Sequence, residues 1–277
     1  MSECSHDCAS CAQNCNGRTE PQSLLAKLNP HARVQKVIAV CSGKGGVGKS
    51  MVTALLAGAA QKQGLNAAIL DADITGPSIP KMFGVHHRAQ GDQSGIYPVC
   101  SAGGVQLMSL NLLLENETDP VIWRGPLITG TIKQFWTEVL WDEVDILFVD
   151  MPPGTGDSTL TVFQSLPVAG IVFVSSPQDL VGMIVQKAVN MAQAMQLPLA
   201  AWVENMSYFV CPDCGKTHEI FGPGRAQELG QKFQIPVTAR LPIRADIAAA
   251  ADNGTIENVS LPALDAVLRE IIRLPAK

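Results

Sequence analysis

The chain has 277 residues, of which 47% are hydrophobic and 16% charged, and this is enough for one large α/β core. Its net charge of −5 argues against a general nucleic-acid-binding protein, because such proteins usually carry a basic surface. No apolar run approaches the roughly 18 residues of a membrane span, and the N-terminus lacks the features of a signal or transit peptide. We therefore expect a cytoplasmic protein that binds neither membranes nor nucleic acid.

Residues 1–20 are rich in cysteine and polar side chains, and they cannot form a packed core without a metal. Their cysteines have the spacing C-x3-C-x2-C-x3-C, which can wrap one iron–sulfur cluster or one zinc ion: Cys4, Cys8, Cys11 and Cys15. The alternative is a flexible tail with exposed thiols. Residues 22–28 are a candidate short helix within a linker, 21–33, and the main domain is expected at 34–277.

A glycine-rich loop lies between a predicted buried strand, 37–41, and a predicted helix, 51–62. The loop satisfies the phosphate-binding pattern G-x-x-x-x-G-K-[ST] and reads Gly43-Lys44-Gly45-Gly46-Val47-Gly48-Lys49-Ser50. Its backbone N–H groups can surround a phosphate chain, Lys49 can neutralise the terminal phosphates, and Ser50 can ligate Mg²⁺. Lys44 is expected at the outer rim, where it can reach into a facing subunit. The loop therefore predicts an ATP site and a homodimer.

Carboxylates follow two further predicted strands, 67–70 and 146–149. Asp71 and Asp73 come after the first, and we expect one to hold magnesium through water and the other to orient the attacking water. Asp150 ends the second strand and is expected in the magnesium shell. Gly154 lies in the following glycine-proline loop, where its N–H is a candidate sensor of the γ-phosphate.

Alternation of apolar runs with helical stretches predicts an α/β fold with an open, mostly parallel sheet covered by helices on both faces. The remaining predicted strands are 105–109, 171–175, 200–203 and 237–239, and the remaining predicted helices are 129–140, 179–195, 225–233 and 263–273. Residues 86–104 are predicted to be a long surface loop. Residues 205–224 interrupt the alternation and are predicted to be an insertion with its own purpose.

The insertion contains Cys211-Pro212-Asp213-Cys214-Gly215, a tight turn that aims two thiolates at one metal ion or cluster. Two thiolates are half of a tetrahedral set, and a twofold dimer would supply the other half across its axis. Zinc is the main alternative to a cluster, and His218 could then add a ligand.

Four segments together resemble the Mrp/ApbC-type iron–sulfur cluster carrier ATPases of the deviant-Walker-A class of P-loop NTPases. They are the loop at 44–50, residues 71–80, Trp123-Arg124-Gly125-Pro126 and residues 150–157. The resemblance implies an ATP-sandwich homodimer in which Lys44 crosses to the phosphates bound by the partner, and we expect a slow ATPase in which Lys44, Lys49, Asp71 and Asp73 are catalytic. It also implies that Asn205 reads the adenine edge from a strand end, and that Cys211 and Cys214 of two chains hold a bridging 4Fe–4S cluster for apo-proteins and scaffold proteins.

One position departs from the pattern of that family, which has a second hydroxyl residue after Ser50. Here the residue is Met51, so we expect nucleotide binding to be weakened by about 1 kcal/mol, the net value of one hydrogen bond. Two other functions remain open: a positioning or partitioning ATPase like MinD or ParA, and a zinc-stabilised ATPase adaptor without cluster transfer.

Overall fold

A computed structural model describes residues 24–73, 78–114, 125–154, 157–177 and 181–276 of the chain. The strands are β1 (Val34–Ser42), β2 (Ala67–Asp71), β3 (Gly91–Asp92), β4 (Gly95–Ile96), β5 (Val99–Cys100), β6 (Gln106–Met108), β7 (Val144–Asp150), β8 (Val168–Ser175), β9 (Leu199–Val210), β10 (Thr217–His218) and β11 (Val237–Pro242). The helices are α1 (Lys49–Lys62), α2 (Ile79–Met82), α3 (Gly125–Thr137), α4 (Asp157–Ser165), α5 (Val181–Ala194), α6 (Ala226–Lys232), α7 (Ala245–Asp252) and α8 (Asp265–Arg273).

The strands form one large sheet in the order β10-β9-β8-β1-β7-β2-β6-β5, and β11 pairs with β9. The pairs among β1, β2, β6, β7, β8, β9 and β11 are parallel, whereas β5 and β10 pair antiparallel with β6 and β9. Parallel strands joined through helices need apolar residues on both sheet faces. The predicted α/β class with a mostly parallel sheet is confirmed.

Each face of the sheet carries its own hydrophobic core. Along β1, Ile38 and Val40 pack on the side of α1, α7 and α8, while Val37, Ala39 and Cys41 pack on the side of α3 to α6. This alternation follows from the two-residue repeat of a strand. Because β1 and β7 are central and parallel, their carboxyl ends lie side by side, and Val40 pairs in register with Asp150.

The structure corrects several expectations about the elements. Residues 24–28 have no regular secondary structure, so the helix predicted over 22–28 is wrong within the described residues. This segment instead lies against the domain: the Ala26 N–H donates to the Ser165 carbonyl at 2.8 Å, and the Trp136 indole donates to the Ala26 carbonyl at 3.0 Å. The helices α2, α4 and α7 were not predicted; each is short or lies next to a loop motif.

Two predicted loops contain β-structure. Within 86–104, β3 and β4 form a small hairpin and β5 adds an edge strand to the main sheet. β9 does not end near residue 203 but continues to Val210, where it runs directly into the cysteine segment. The first part of the predicted insertion is therefore a continuation of the sheet. Within the part of the chain that the structure describes, no helix is long and apolar enough to cross a membrane.

Candidate nucleotide site and cysteine pair

The glycine-rich loop joins the end of β1 to the start of α1, as the sequence predicts. Gly46 and Gly48 have φ angles of 81° and 82°, a left-handed conformation that glycine adopts without a steric penalty. A Cβ built on Gly45 or Gly46 would meet nothing within 4 Å. The loop therefore presents open space above its backbone at the positive end of a helix, where anions are favoured.

Lys49 lies at the centre of a buried polar cluster. Its ammonium is 2.8 Å from Asp150 Oδ2 and 3.5 Å from Asp73 Oδ2. The Ser50 hydroxyl donates to Asp150 Oδ2 at 2.6 Å, and the Thr53 hydroxyl donates to Asp150 Oδ1 at 2.8 Å. Both oxygens of Asp150 are thus engaged, and the lysine, the serine and the carboxylate that the sequence predicted for the site lie in direct contact.

Asp71 and Asp73 occupy different environments although they are two residues apart. Asp73 reaches Lys49 and lines the cavity next to the loop. Asp71 is 1% exposed and accepts hydrogen bonds from the Ser109 hydroxyl at 3.0 Å and the Asp73 N–H at 3.2 Å. Burial, reinforced by the Asp150 carboxylate, raises the pKa of Asp71 well above its usual value. Asp71 therefore lies behind the site, and Asp73 faces it.

A cavity of about 290 Å³ opens in front of the loop. It is lined by Ser42, Lys44, Gly45, Gly46, Gly48, Lys49, Ser50, Met51, Asp73, Ser78, Met82 and Pro153. Lys44 is exposed at its rim, as predicted. The Ser42 hydroxyl is buried without a hydrogen-bond partner among the described residues. An unpaired buried hydroxyl is unfavourable, so it offers a polar contact to whatever fills the cavity.

Asn205 contacts the glycine-rich loop through a hydrogen bond from its side chain. It lies within β9 and not at a strand end, it is 1% exposed, and its amide donates to the Val47 carbonyl at 2.9 Å. Its predicted contact with an adenine edge stays a prediction. Gly154 is also engaged, because its N–H donates to the Ser42 carbonyl at 2.9 Å. A γ-phosphate could be sensed by Gly154 only if that bond were exchanged.

These residues fit magnesium and a nucleoside triphosphate. The open glycine loop, the buried Lys49 and the Ser42 hydroxyl, which has no partner among the described residues, suit a phosphate chain. Ser50 and Asp150 supply adjacent oxygen donors of the kind that Mg²⁺ prefers. When bound, the ion would neutralise charge on the phosphates.

The cysteine pair lies in an exposed hairpin at the far end of β9. Cys211 directly follows Val210, its N–H donates to the Lys216 carbonyl at 2.9 Å, and its carbonyl accepts from the Gly215 N–H at 2.9 Å. Cys214 is exposed and Cys211 half-buried. The N–H of Cys214, together with that of Asp213 and the Cys214 thiol, lowers the pKa of Cys211. The turn therefore favours the thiolate, which is the form that binds iron or zinc.

The comparisons with known proteins agree with this geometry. A family described as NUBPL iron-transfer P-loop NTPases matches residues 33–273. The chain belongs to this family. Its relatives include an iron–sulfur cluster carrier protein of Clostridium perfringens, 43% identical, with 90% of this chain and 93% of the relative covered. One from Methanocaldococcus jannaschii is 39% identical, with 92% and 90% covered.

Solved structures support the family assignment and the fold. A nucleotide-binding protein from Archaeoglobus fulgidus, in complex with ADP and with cobalt, has a TM-score of 0.76 and 42% identity, with 84% of this chain and 91% of that chain covered. The cell-division ATPase MinD of Pyrococcus furiosus has a TM-score of 0.58 at 17% identity, with 86% and 97% covered, and this likeness concerns the fold alone. The predicted resemblance to iron–sulfur cluster carrier ATPases is confirmed, and the chain is a P-loop NTPase.

The residues that the sequence predicts for sites and motifs are only partly within the described residues. Cys4, Cys8, Cys11, Cys15, Trp123 and Arg124 lie outside them. Within them, no group of three or more His, Cys, Asp or Glu side chains is arranged to hold a metal ion, so His218 does not join Cys211 and Cys214 in a three-ligand site. His218 pairs with Phe209 across the hairpin.

Three contributors to the sites were missed from the sequence. Thr53 lies one helical turn after Lys49, and this spacing could have placed it on the same face of α1. Ser109 contacts Asp71 only because β6 lies beside β2. Arg240, which contacts the cysteine hairpin from β11, carries no local sequence signal.

Proposed function

We propose that this protein is an ATP-hydrolysing iron–sulfur cluster carrier that acts as a homodimer. Two copies hold a labile 4Fe–4S cluster between their Cys211 and Cys214 thiolates and pass it to apo-proteins. Lys44 of each copy reaches the phosphates bound by the facing copy. Hydrolysis uses Asp73 to orient water, while Lys49, Ser50 and Asp150 hold the phosphates and magnesium.

The observation that carries the proposal is the placement of the cysteine pair. Cys211 and Cys214 lie in an exposed turn on the sheet that also carries the nucleotide loop, and not in the protein core. Three apolar side chains flank this turn and are exposed by 45%, 58% and 36%: Val210, Ile220 and Phe221. Exposed apolar groups of this kind are typical of a contact surface, and they suit the face on which a second copy would supply two further thiolates.

The nucleotide half of the proposal rests on the buried Lys49–Asp150 pair and the cavity in front of it. Cations and oriented N–H groups at the phosphates supply most of the stabilisation in phosphoryl transfer. Asp73 is the carboxylate that reaches this cavity, so it is the candidate for orienting the attacking water. Lys44 is exposed and can extend beyond its own chain.

The packing of α8 bears on one alternative function, and the cysteine turn bears on another. The apolar residues Val267, Leu268 and Ile271 of α8 are buried in the domain core. This agrees with a helix packed on the domain and disfavours the membrane-binding helix that a MinD-like role needs. A zinc-stabilised adaptor would use the same cysteine turn and differs only in what the thiolates bind.

Anaerobic reconstitution with iron and sulfide tests the proposal. We compare the wild type, Cys211→Ser/Cys214→Ser and a fourfold N-terminal serine variant, with Cys100→Ser as a matched control because Cys100 is exposed and distant in sequence. Visible absorption, labile sulfide and dimer formation are measured, followed by transfer to an apo-protein. The double variant should lose the bridging cluster and Cys100→Ser should keep it. Zinc retained without sulfide in the wild type would contradict the carrier function.

A further inference from the structure

β9 connects the two proposed sites through one strand. Asn205, in the middle of β9, touches the nucleotide loop, and Cys211 follows the last residue of the strand, Val210. Between them β9 is irregular: Met206 has a φ of 54°, and the pairing with β11 shifts register between Arg240 and Pro242. Because this irregularity interrupts the extended backbone, the strand alone does not carry a shift at Asn205 to the cysteine turn, and side chains must bridge the two.

The contact between Asn205 and the loop is tight. A Cβ built on Gly48 would lie 2.3 Å from Asn205 Nδ2, and the same amide donates to the Val47 carbonyl. Phosphate binding acts on the peptides of this loop. Any rearrangement of Val47 or Gly48 must therefore break the Asn205 hydrogen bond or displace Asn205.

The neighbour of Asn205 begins a polar network on the opposite side of β9. Glu204 is 0% exposed and accepts hydrogen bonds from the Ser207 hydroxyl and from the Arg225 N–H at 2.9 Å. Arg240 lies 3.5 Å from the same carboxylate and donates to the Ser207 hydroxyl at 2.6 Å. A buried carboxylate requires such partners, so the network holds Glu204 and Arg240 in a fixed relation.

Arg240 also reaches the cysteine hairpin. Its second nitrogen pairs with Glu219 at 2.5 Å, and its guanidinium lies 5.7 Å from the centre of the Tyr208 ring. Glu219 follows β10, the returning strand of the hairpin that contains Cys211 and Cys214. Arg240 thus binds both Glu204, which is next to Asn205 on β9, and the segment that carries the cysteines. Its planar guanidinium group is suited to two simultaneous partners.

We infer that Arg240 is a positioning residue that couples the nucleotide loop to the cysteine pair, an inference that rests on the proposed function. The path runs from Gly48 and Asn205 to Glu204, then through Arg240 to Glu219. Because Arg240 ties Glu219, which follows the hairpin, to Glu204 beside Asn205, the loop and the cysteine turn change together, and nucleotide state alters the hold on the cluster. Without this link the hairpin would move independently of the loop.

Coupling between two binding sites is reciprocal, so it can be measured as a change in nucleotide affinity on cluster loading. We determine the Kd of a non-hydrolysable ATP analogue for the cluster-free and the reconstituted protein. The wild-type values should differ by at least about fivefold, the lower end of typical coupling. Arg240→Gln and Glu219→Gln should bring that ratio to within about twofold of one while both ligands still bind.

Matched variants separate coupling from folding. Arg225→Gln removes a neighbouring arginine whose side chain pairs with exposed Glu228, and it keeps the backbone N–H that Glu204 accepts, so its ratio should equal that of the wild type. Arg240→Gln leaves the buried Glu204 without its ion pair and should lower the thermal unfolding temperature, which is measured in parallel. Glu219→Gln changes only an exposed partner and tests the link in a folded protein.

The possible results separate a failure of the coupling through Arg240 from a failure of the proposed carrier function. A wild type that takes up no cluster overturns both. A wild type that binds cluster and nucleotide with a ratio of one overturns the coupling and leaves the carrier proposal standing. The coupling is also overturned if folded Glu219→Gln keeps the wild-type ratio, or if Arg225→Gln loses it.

Discussion

Asn205 lies so close to Gly48 that a single methyl group would not fit between them. A Cβ on Gly48 would be 2.3 Å from Asn205 Nδ2, and the φ angle of Gly48 is +82°. Gly48 is therefore needed for two independent reasons, its left-handed backbone and its contact with β9.

Comparing Gly48→Ala with Gly64→Ala separates the cost of the left-handed backbone from the cost of the clash with Asn205. Gly64 has a φ of +81°, and a Cβ there meets nothing within 4 Å, so its substitution should lower the free energy of unfolding by about 1–2 kcal/mol. Gly48→Ala should lower it further and abolish ATP binding. Denaturant unfolding and calorimetric titration measure both. Equal losses for the two variants would show that the Asn205 contact is unimportant.

Asp73→Asn should lower the rate of ATP hydrolysis by about 100-fold or more, because Asp73 is the carboxylate that reaches the cavity and orientation of water is worth about this much. Asp71→Asn should lower it less than tenfold, since Asp71 is buried behind the site. Phosphate release at saturating ATP provides the measurement. The reverse order of the two effects would assign the catalytic role to Asp71.

Stability should depend on pH through Asp71. Burial and the Asp150 carboxylate raise the pKa of Asp71, so between the unfolded value near 4 and the raised folded value, folding takes up a proton. Stability conferred by the protonated group is present at low pH and is lost as pH rises through that window. Asp71→Asn should remove this loss.

Denaturant unfolding at a series of pH values from 4 to 8 tests this sign. The free energy of unfolding of Asp71→Asn relative to the wild type should increase as pH rises. Asp252→Asn, on the exposed surface of α7, serves as the control, and its difference from the wild type should stay constant. A constant difference for Asp71→Asn as well would rule out proton uptake at this site.

Met51→Thr should tighten ATP binding by about 1 kcal/mol, roughly fivefold in Kd, because it restores a hydroxyl at the rim of the cavity. Met51→Val is the matched control, since valine has the branched shape of threonine without the hydroxyl. Titration calorimetry with ATP compares the three proteins. If threonine and valine give the same affinity, the hydroxyl makes no contact with the nucleotide.

Cys211 should react as a thiolate at lower pH in the folded protein than in the unfolded one, because the N–H of Cys214 lowers its pKa. Iodoacetamide alkylation followed by mass spectrometry gives the rate at Cys211 across pH in native buffer and in urea. The native curve should be displaced to lower pH. Coincident curves would show that the turn does not stabilise the thiolate.

The sequence alone determined the parts of this protein that depend on neighbouring residues. The strand, glycine loop and helix at 37–62 are consecutive, so the loop's backbone geometry and the placement of Lys49 and Ser50 follow from local spacing. The family resemblance followed from four such local segments. The cysteine turn at 211–215 is local in the same sense, and its tight geometry is confirmed by the Gly215–Cys211 hydrogen bond.

The tertiary structure decided what depends on residues far apart in the chain. Whether Asp71 or Asp73 faces the cavity depends on Ser109 and Asp150, which neighbouring strands bring beside them. The continuation of β9 beyond Asn205 depends on its pairing with β11, where Pro242 lies opposite Tyr208 after a register shift. Arg240 reaches Glu204 and Glu219 because β11 lies beside β9, and no periodicity in the sequence encodes such a contact between side chains of distant elements.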